Sequence, residues 1–230
     1  MTDPRIIKTV VLSTWAGFFL WLLVSKRVNV YIGPRTYWVV VFGAVSLTCA
    51  AIGQLILKPA EHDESGPRWW LGYAAMLVPI FLVVVVPEPS LGSLAASRKS
   101  SGGVVSAAAL QPPDLQPGDE VSFTEISYAL ESEEYAAALG IGEGYEIDLT
   151  GFVSAGEELS SDTFALTRFS IFCCAADAVP YTVTVLPPDG RRYALDTWVR
   201  VQGSLARSGE TYVVHADSVE TVERPDDPYI

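Results

Sequence analysis

Histidine is nearly absent from this chain, with His62 and His215 its only representatives among 230 residues. An HExxH metal motif is therefore excluded, and so are most multi-histidine metal sites. A glycine-rich phosphate loop, a CxxC pair and a Gly-x-Ser-x-Gly elbow are also missing. Phosphoryl transfer, dithiol exchange and serine hydrolysis thus lack their usual sequence marks. Three cysteines, Cys49, Cys173 and Cys174, are too few for a disulfide framework. Lysine is missing altogether from residues 114–230, where six arginines face twenty-two Asp and Glu. Such a surface repels phosphate, so nucleic acid is not an expected partner. Paired acids such as Glu133-Glu134 and Glu157-Glu158 read as solvated faces of a helix and a turn, and no enzymatic activity is expected.

The charge is divided unevenly. The whole chain carries a formal −12, yet residues 1–113 hold nine Lys or Arg against five acids, so the acidity belongs to the second half. The first half is dominated by apolar runs, and a membrane helix needs roughly 20 such residues to cross a hydrocarbon core about 30 Å thick. Three spans are expected, at about 6–24, 37–57 and 69–86 within a membrane region 1–87. The first reaches its full length if Lys8 snorkels to the headgroups. The third contains Pro79, which a membrane helix tolerates when neighbours satisfy the freed carbonyl. Trp15, Trp21, Tyr31, Tyr37, Trp38, Trp69 and Trp70 cluster near the ends of these runs, where interfacial aromatic belts belong.

A cleaved signal peptide is a poorer account of the first run, because SKRVNVYIG after Val24 offers no small-residue cleavage pattern. The polar groups inside the spans, Ser13, Thr14, Ser46, Thr48, Cys49 and Gln54, are uncharged. No proton relay or ion pair lies in the membrane, so the three helices are not expected to be a transporter by themselves. Gly43, Ala44 and Ala50 offer close helix approach. Lys and Arg flanking the spans nearly tie between the two sides. An inside N-terminus, which puts the second half outside the cytoplasm, is preferred because Arg5 and Lys8 then stay on the inner side.

Residues 88–120 are rich in Pro, Gly, Ser and Ala and read as a flexible linker, with disorder expected over 90–118. Residues 121–230 then read as an acidic β domain. Phe123 to Leu139 predicts one amphipathic helix stopped at Gly140. Strand signals follow at Tyr145–Thr150, Thr163–Cys174, Tyr181–Val185, Thr197–Leu205 and Thr211–Val222. Turns are expected near Gly156, at Pro187–Gly190 and at Ser208–Glu210. Five strands and a helix in about 110 residues suggest a small OB-like barrel, with Gly151 as the bulge that curls the first strand.

The segment Arg168 to Pro180, RFSIFCCAADAVP, is the most distinctive string in the chain. Its adjacent cysteines sit where the second strand is expected to end. Three readings stay open. Both can be small buried apolar residues, since unpaired cysteine is among the most buried residue types. Cys173, Cys174 and Asp177 can instead ligate a soft metal such as zinc or Cu(I), although a closed zinc site wants four ligands. Thiol redox is the third, and a disulfide between neighbours would be strained. His215, alternating with Val214 and Ala216, is expected to be a satisfied barrel residue.

With these residues in view, the chain resembles the bacterial YcgQ-like family, proteins named as permease subunits. The likeness covers nearly the whole chain. It rests on RFSIFCCAADAVP, on GFV at Gly151 to Val153, on DTWVRVQG at Asp196 to Gly203 and on the terminal PDDPYI at Pro225 to Ile230; YIGP at Tyr31 to Pro34 and PEPSLGS after the third run add to it. Arg168, Cys173, Cys174, Ala176, Asp177 and Pro180 match the family pattern, without assigned chemistry. Where relatives often carry a histidine-rich loop between the second and third spans, this chain has KPAEHDESGPR with His62 alone. The resemblance implies a multi-pass cell-membrane protein that works beside a separate polytopic permease, its acidic domain binding that partner or its cargo. No cofactor is expected beyond the soft metal already considered. The alternative is a membrane-tethered metal- or thiol-sensing domain that needs no permease.

Overall fold

The computed structural model describes residues 4–57, 69–86, 91–99, 121–155, 162–209 and 211–230. It divides into two compact units, one of residues 1–90 with 172–174, the other of 91–171 with 175–230.

The first unit is helical. Helices α1 (Pro4–Val24), α2 (Tyr37–Ile56) and α3 (Trp69–Val85) form from the three apolar runs. With every backbone group bonded inside the helix, long apolar segments need no polar neighbour. Val11, Ala16 and Leu22 of α1 and Ala44 and Ala51 of α2 are buried, and the Trp15 indole donates to the Met76 carbonyl of α3 at 3.2 Å. Gly43 lies beside Phe19, and a methyl at that position would stand 4.0 Å from the ring. Most other apolar side chains stay exposed, among them Trp38 and Phe42, each at 66%. Two helices, Ile6–Val24 and Pro34–Ile56, are long and apolar enough to cross a membrane. The third run yields 17 residues, about 25 Å at 1.5 Å per residue, which is shorter than the hydrocarbon core.

Between α1 and α2 the chain turns through two 3₁₀ segments, Arg27–Val30 and Pro34–Thr36, burying Val28 and Val30. The loop containing His62 lies outside the described residues. So do residues 100–120 and the turn near Gly156, with Glu157 and Glu158. The stretch expected as a linker is not uniformly irregular. Ser93–Lys99 forms a short helix, α4, in the second unit. The Asp196 carboxylate accepts from the Ser93 amide at 2.6 Å, Lys99 donates to the Ala176 carbonyl at 2.8 Å, and Ala96 is buried. Composition alone had no access to these distant partners.

The second unit is a closed five-stranded barrel with strand order β1-β2-β3-β5-β4. Its strands are β1 (Glu146–Ser154), β2 (Phe164–Ser170), β3 (Val179–Leu186), β4 (Trp198–Ser208) and β5 (Thr211–Thr221). All pairs are antiparallel except β3 with β5. Period-2 alternation sends Ile147, Leu149, Leu166, Val183, Val185, Val199, Val201, Leu205, Val214 and Ala216 into one core. The amphipathic segment completes that core, but as two helices. It breaks into α5 (Phe123–Glu131) and α6 (Glu133–Ala138), because Ser132 adopts an extended conformation and its side chain caps the Tyr135 amide. Ser122 caps α5 with a reciprocal Glu125 bond, and Gly140 follows α6 at φ 69°.

The expected bulge is elsewhere. β1 and β4 pair without a break across Gly151, while the register slips between β4 and β5 at Gln202/Gly203, leaving Asp217 as the extra residue. Gly151 has a different role. A methyl there would sit 2.8 Å from the Thr167 carbonyl and against Leu166, so glycine permits close strand approach. Gly203 is tighter still, with a methyl overlapping the His215 carbonyl and 2.7 Å from Ala216 Cα. Both obstacles are backbone. Gly203→Ala is expected to cost about 1–3 kcal/mol, in the range of core overpacking, and calorimetry of the detergent-solubilised protein should show the barrel transition several degrees lower.

Candidate functional site

The distinctive segment begins as strand and leaves it early. β2 ends at Ser170, so Cys173 and Cys174 lie beyond the ladder rather than at its end. Cys173 is exposed and Cys174 half-buried, and neither is in a disulfide. Burial as small apolar residues therefore does not describe them. Main-chain bonds hold them instead. Cys174 forms an isolated antiparallel bridge with Ile32, the Cys173 carbonyl accepts from Gly33 N at 3.2 Å and from Thr36 Oγ1 at 2.7 Å, and the Arg35 guanidinium lies 5.1 Å over the Phe172 ring. Residues 172–174 are thus part of the first unit, docked on the YIGP turn. Cys173 and Cys174 fall in the first unit, while Asp177, at the end of the 3₁₀ turn Ala175–Asp177, falls in the second. By donor type, the Cys173 and Cys174 thiols would suit a soft metal. His215 faces outward from β5, exposed, because Val214 and Ala216 take the inward positions.

The remaining motif residues build structure. Arg168 reaches the terminal PDDPYI and donates to the carbonyls of Asp227 at 2.8 Å, Pro228 at 3.4 Å and Tyr229 at 3.5 Å. Burial lowers its pKa while nearby Asp227 raises it. The tail then bridges β2 through Tyr229 and Phe169, and the Ile230 amide donates to the Phe169 carbonyl at 2.9 Å. Tyr229, Phe169, Phe152, Ile171, Ala178 and Ala96 form a second apolar core, with Phe152 stacked on Phe169 at 5.8 Å. Asp196 of DTWVRVQG takes φ 66°, a left-handed turn that aims its carboxylate at α4. Pro180 pairs with Phe169 within β3, and Ala176 supplies the carbonyl held by Lys99.

Sequence reasoning missed a groove. It has a volume of about 630 Å³ and is lined by the run Tyr145 to Thr150 with Val121, Ile126 and Arg200. β1 creates it. Toward β4, β1 is paired from Glu146 to Phe152, but toward β2 only Phe152 to Ser154 are paired. The Tyr145 carbonyl accepts from Leu205, and Val153 exchanges bonds with Asp196 and Thr197. Odd residues of β1 therefore bond toward β4, and the main chain of Glu146, Asp148 and Thr150 points to the open side. Asp148 is gripped by the Arg200 guanidinium, with Nε at 2.7 Å, and by Gln202 at 2.9 Å. The Arg200 bond, chiefly, holds its carboxyl below the usual range, against partial burial. The alternation of Glu146 and Asp148 with apolar residues was visible in the sequence; that no strand among the described residues pairs beside them was not.

Residues 110–230 match the DUF1980 C-terminal domain. The chain belongs to that family. Its members are uncharacterised proteins, and the match spans the barrel, its two capping helices and the terminal tail. No curated protein matches the chain.

Arg168→Ala should release the tail, costing on the order of 2 kcal/mol for a lost charged donor; hydrogen exchange at the Ile230 amide should accelerate while the amides of β4 stay protected. Asp148 gives a pH prediction. A carboxyl with a lowered folded pKa contributes stability above its unfolded value and loses it as pH falls through the folded one. The small advantage of wild type over Asp148→Asn in thermal melts should therefore be complete above pH 3.8, the ordinary aspartate value, and shrink below it.

Proposed function

We propose that this protein is a membrane-anchored accessory subunit that works beside a polytopic permease, its acidic barrel engaging the permease or its cargo. One observation carries this reading: α1 and α2 are long, apolar and largely uncovered, with Val24 at 85%, Ile56 at 74% and Trp38 and Phe42 at 66% exposure. Exposed apolar surface on that scale calls for lipid or partner helices. In this reading α3 crosses the membrane as well, tilting little, with its flanking residues reaching the interface. Pro79 then leaves a carbonyl that a neighbouring helix satisfies.

The barrel is read as OB-like on its strand order and its parallel β3–β5 closure. Its surface is wrong for phosphate, since residues 114–230 lack lysine, so the partner is protein or a small cargo rather than nucleic acid. Placement outside the cytoplasm follows from keeping Arg5 and Lys8 inside. The likeness to the YcgQ-like proteins points to the same assembly. Affinity purification of the tagged protein from its native membrane in mild detergent should recover a polytopic membrane protein in near-stoichiometric amount; recovery of the bait alone would sink the proposal.

A second reading rests on the adjacent thiols of Cys173 and Cys174, one exposed and one half-buried, with Asp177 as the further donor that the sequence offers. It makes the chain a metal- or thiol-sensing module that needs no permease, with thiolates selecting zinc or Cu(I). Metal analysis of protein purified with zinc present then expects one bound equivalent in wild type and none in Cys173→Ser or Cys174→Ser. Equal contents in all three would rule the reading out.

A further inference from the structure

The barrel is closed in its strand order but not along its whole height. Where β1 runs from Glu146 to Thr150, it has β4 on one side. On the other side, among the described residues, no strand pairs with it. The partner that continues the ladder at Phe152 to Ser154 is β2, and β2 turns away. Its residue Phe169 takes Tyr229 and Ile230 of the terminal tail as neighbours instead. Three residues of β1 thus offer amides and carbonyls to the 630 Å³ groove.

Unpaired strand edges are templates for another strand, and folded proteins usually blunt them with lysine, proline or a bulge. This one carries no lysine, proline or bulge, and its charges are Glu146 and Asp148, which discourage an acidic strand and admit a basic one. We propose that the open edge of β1 is a docking site for an extended basic segment of a partner protein, added as a further antiparallel or parallel strand.

The chemistry of the occupant follows from the two faces of β1. Ile147 and Leu149 point into the barrel core, and the groove there is lined by Val121 and Ile126. Glu146 and Asp148 point outward and are exposed. A strand added beside β1 keeps the same alternation, so its inward residues stand beside Ile147 and Leu149 and face the half-buried Val121, where apolar side chains fit. Its outward residues stand beside Glu146 and Asp148, where opposite charge is favoured and like charge penalised. Asp148 is already half-satisfied by Arg200 and Gln202, which leaves Glu146 as the principal anion at the edge. The wider field agrees, since residues 114–230 carry sixteen more acids than arginines and would draw a basic segment toward them. The occupant is therefore a stretch of four to six residues alternating apolar with Lys or Arg. This rests on the accessory-subunit reading only for the identity of the partner; the edge and its preference belong to the barrel itself.

The test has two arms that fail separately. In the first, purified full-length protein in a neutral detergent is mixed with an eight-residue peptide of alternating lysine and valine, or with its glutamate and valine counterpart. Hydrogen exchange is read at the amides of Glu146, Asp148 and Thr150. The lysine peptide should slow exchange there at least tenfold at saturating, sub-millimolar concentration, and the glutamate peptide should not. Thr150→Pro removes one outward amide without touching the bonds to β4. It should abolish the protection while leaving β4 amides slow. Glu146→Lys should weaken the lysine peptide at least tenfold and leave the melting temperature within a few degrees, whereas Glu223→Lys, exposed beyond the end of β5, should have little effect. Protection that is absent at millimolar lysine peptide, or equal for both peptides, overturns the proposal.

In the second arm the same variants are used as bait in native membranes. Loss of a co-purified permease with Thr150→Pro and Glu146→Lys, but not with Glu223→Lys, identifies the edge as the contact. A permease retained at wild-type yield by Thr150→Pro overturns the edge as its docking site. If wild type recovers no permease while the lysine peptide still protects the edge, the accessory-subunit reading fails and the docking site stands.

Discussion

Close backbone approach at two glycines is what allows so short a sheet to close. Gly203 of β4 lies against the main chain of His215 and Ala216, and Gly151 of β1 lies against the Thr167 carbonyl of β2. Together they let β4 hold β1 on one side and β5 on the other while β1 crosses from one partner to the next. The extra residue Asp217 adds the local twist that a small barrel needs. Curvature has a consequence at the far end of β1. A strand that bends toward β2 over its last three residues leaves β2 over its first five, and the open edge at Glu146 to Thr150 results. The groove is a by-product of that closure.

Most of the residues that make this chain recognisable serve the same end. Phe152 and Val153 of GFV go to two different cores, one outside the barrel with Phe169 and one inside with Leu166. DTWVRVQG supplies a left-handed turn, three inward positions and the Arg200 that grips Asp148. Arg168 directs its charge at carbonyls of the terminal tail rather than at a carboxylate, a use that suits a planar guanidinium with several donors. The cysteines differ. Bonds from the turn at Ile32 to Thr36 to their main chain hold the segment in place in the first unit.

Charge and hydropathy are segregated between the two units. Helices α1 and α2 bury small or medium residues such as Ala16, Ala44 and Ala51 and turn Trp38, Phe42 and Ile56 outward. The barrel does the reverse, with valines inside and carboxylates outside. Each arrangement is stable only in its own solvent. Two of the apolar helices are long enough to cross a membrane, and the barrel is not built that way.

Pattern alone located nearly every element. Period-2 runs found β1 and β3 to β5 within a few residues, and uncharged apolar length found α1 to α3. These are local properties, written in each segment's own side chains. What failed was mostly non-local, the Ser132 cap excepted. Phe123 to Leu139 reads as one helix until Ser132 is seen to cap the second. The run to Cys174 reads as strand until Ile32 claims its last residues. Ser93 to Lys99 reads as linker until Asp196, about a hundred positions away, caps it. Gly151 reads as a bulge until the β4 register proves continuous. Local pattern was thus enough for two apolar spans, an acidic five-stranded domain and a distinctive cysteine segment. Which edge of β1 has no strand beside it among the described residues, and which turn holds the cysteine segment, emerged with the assembled fold, because a strand's own residues specify its two faces while its neighbours specify its two edges.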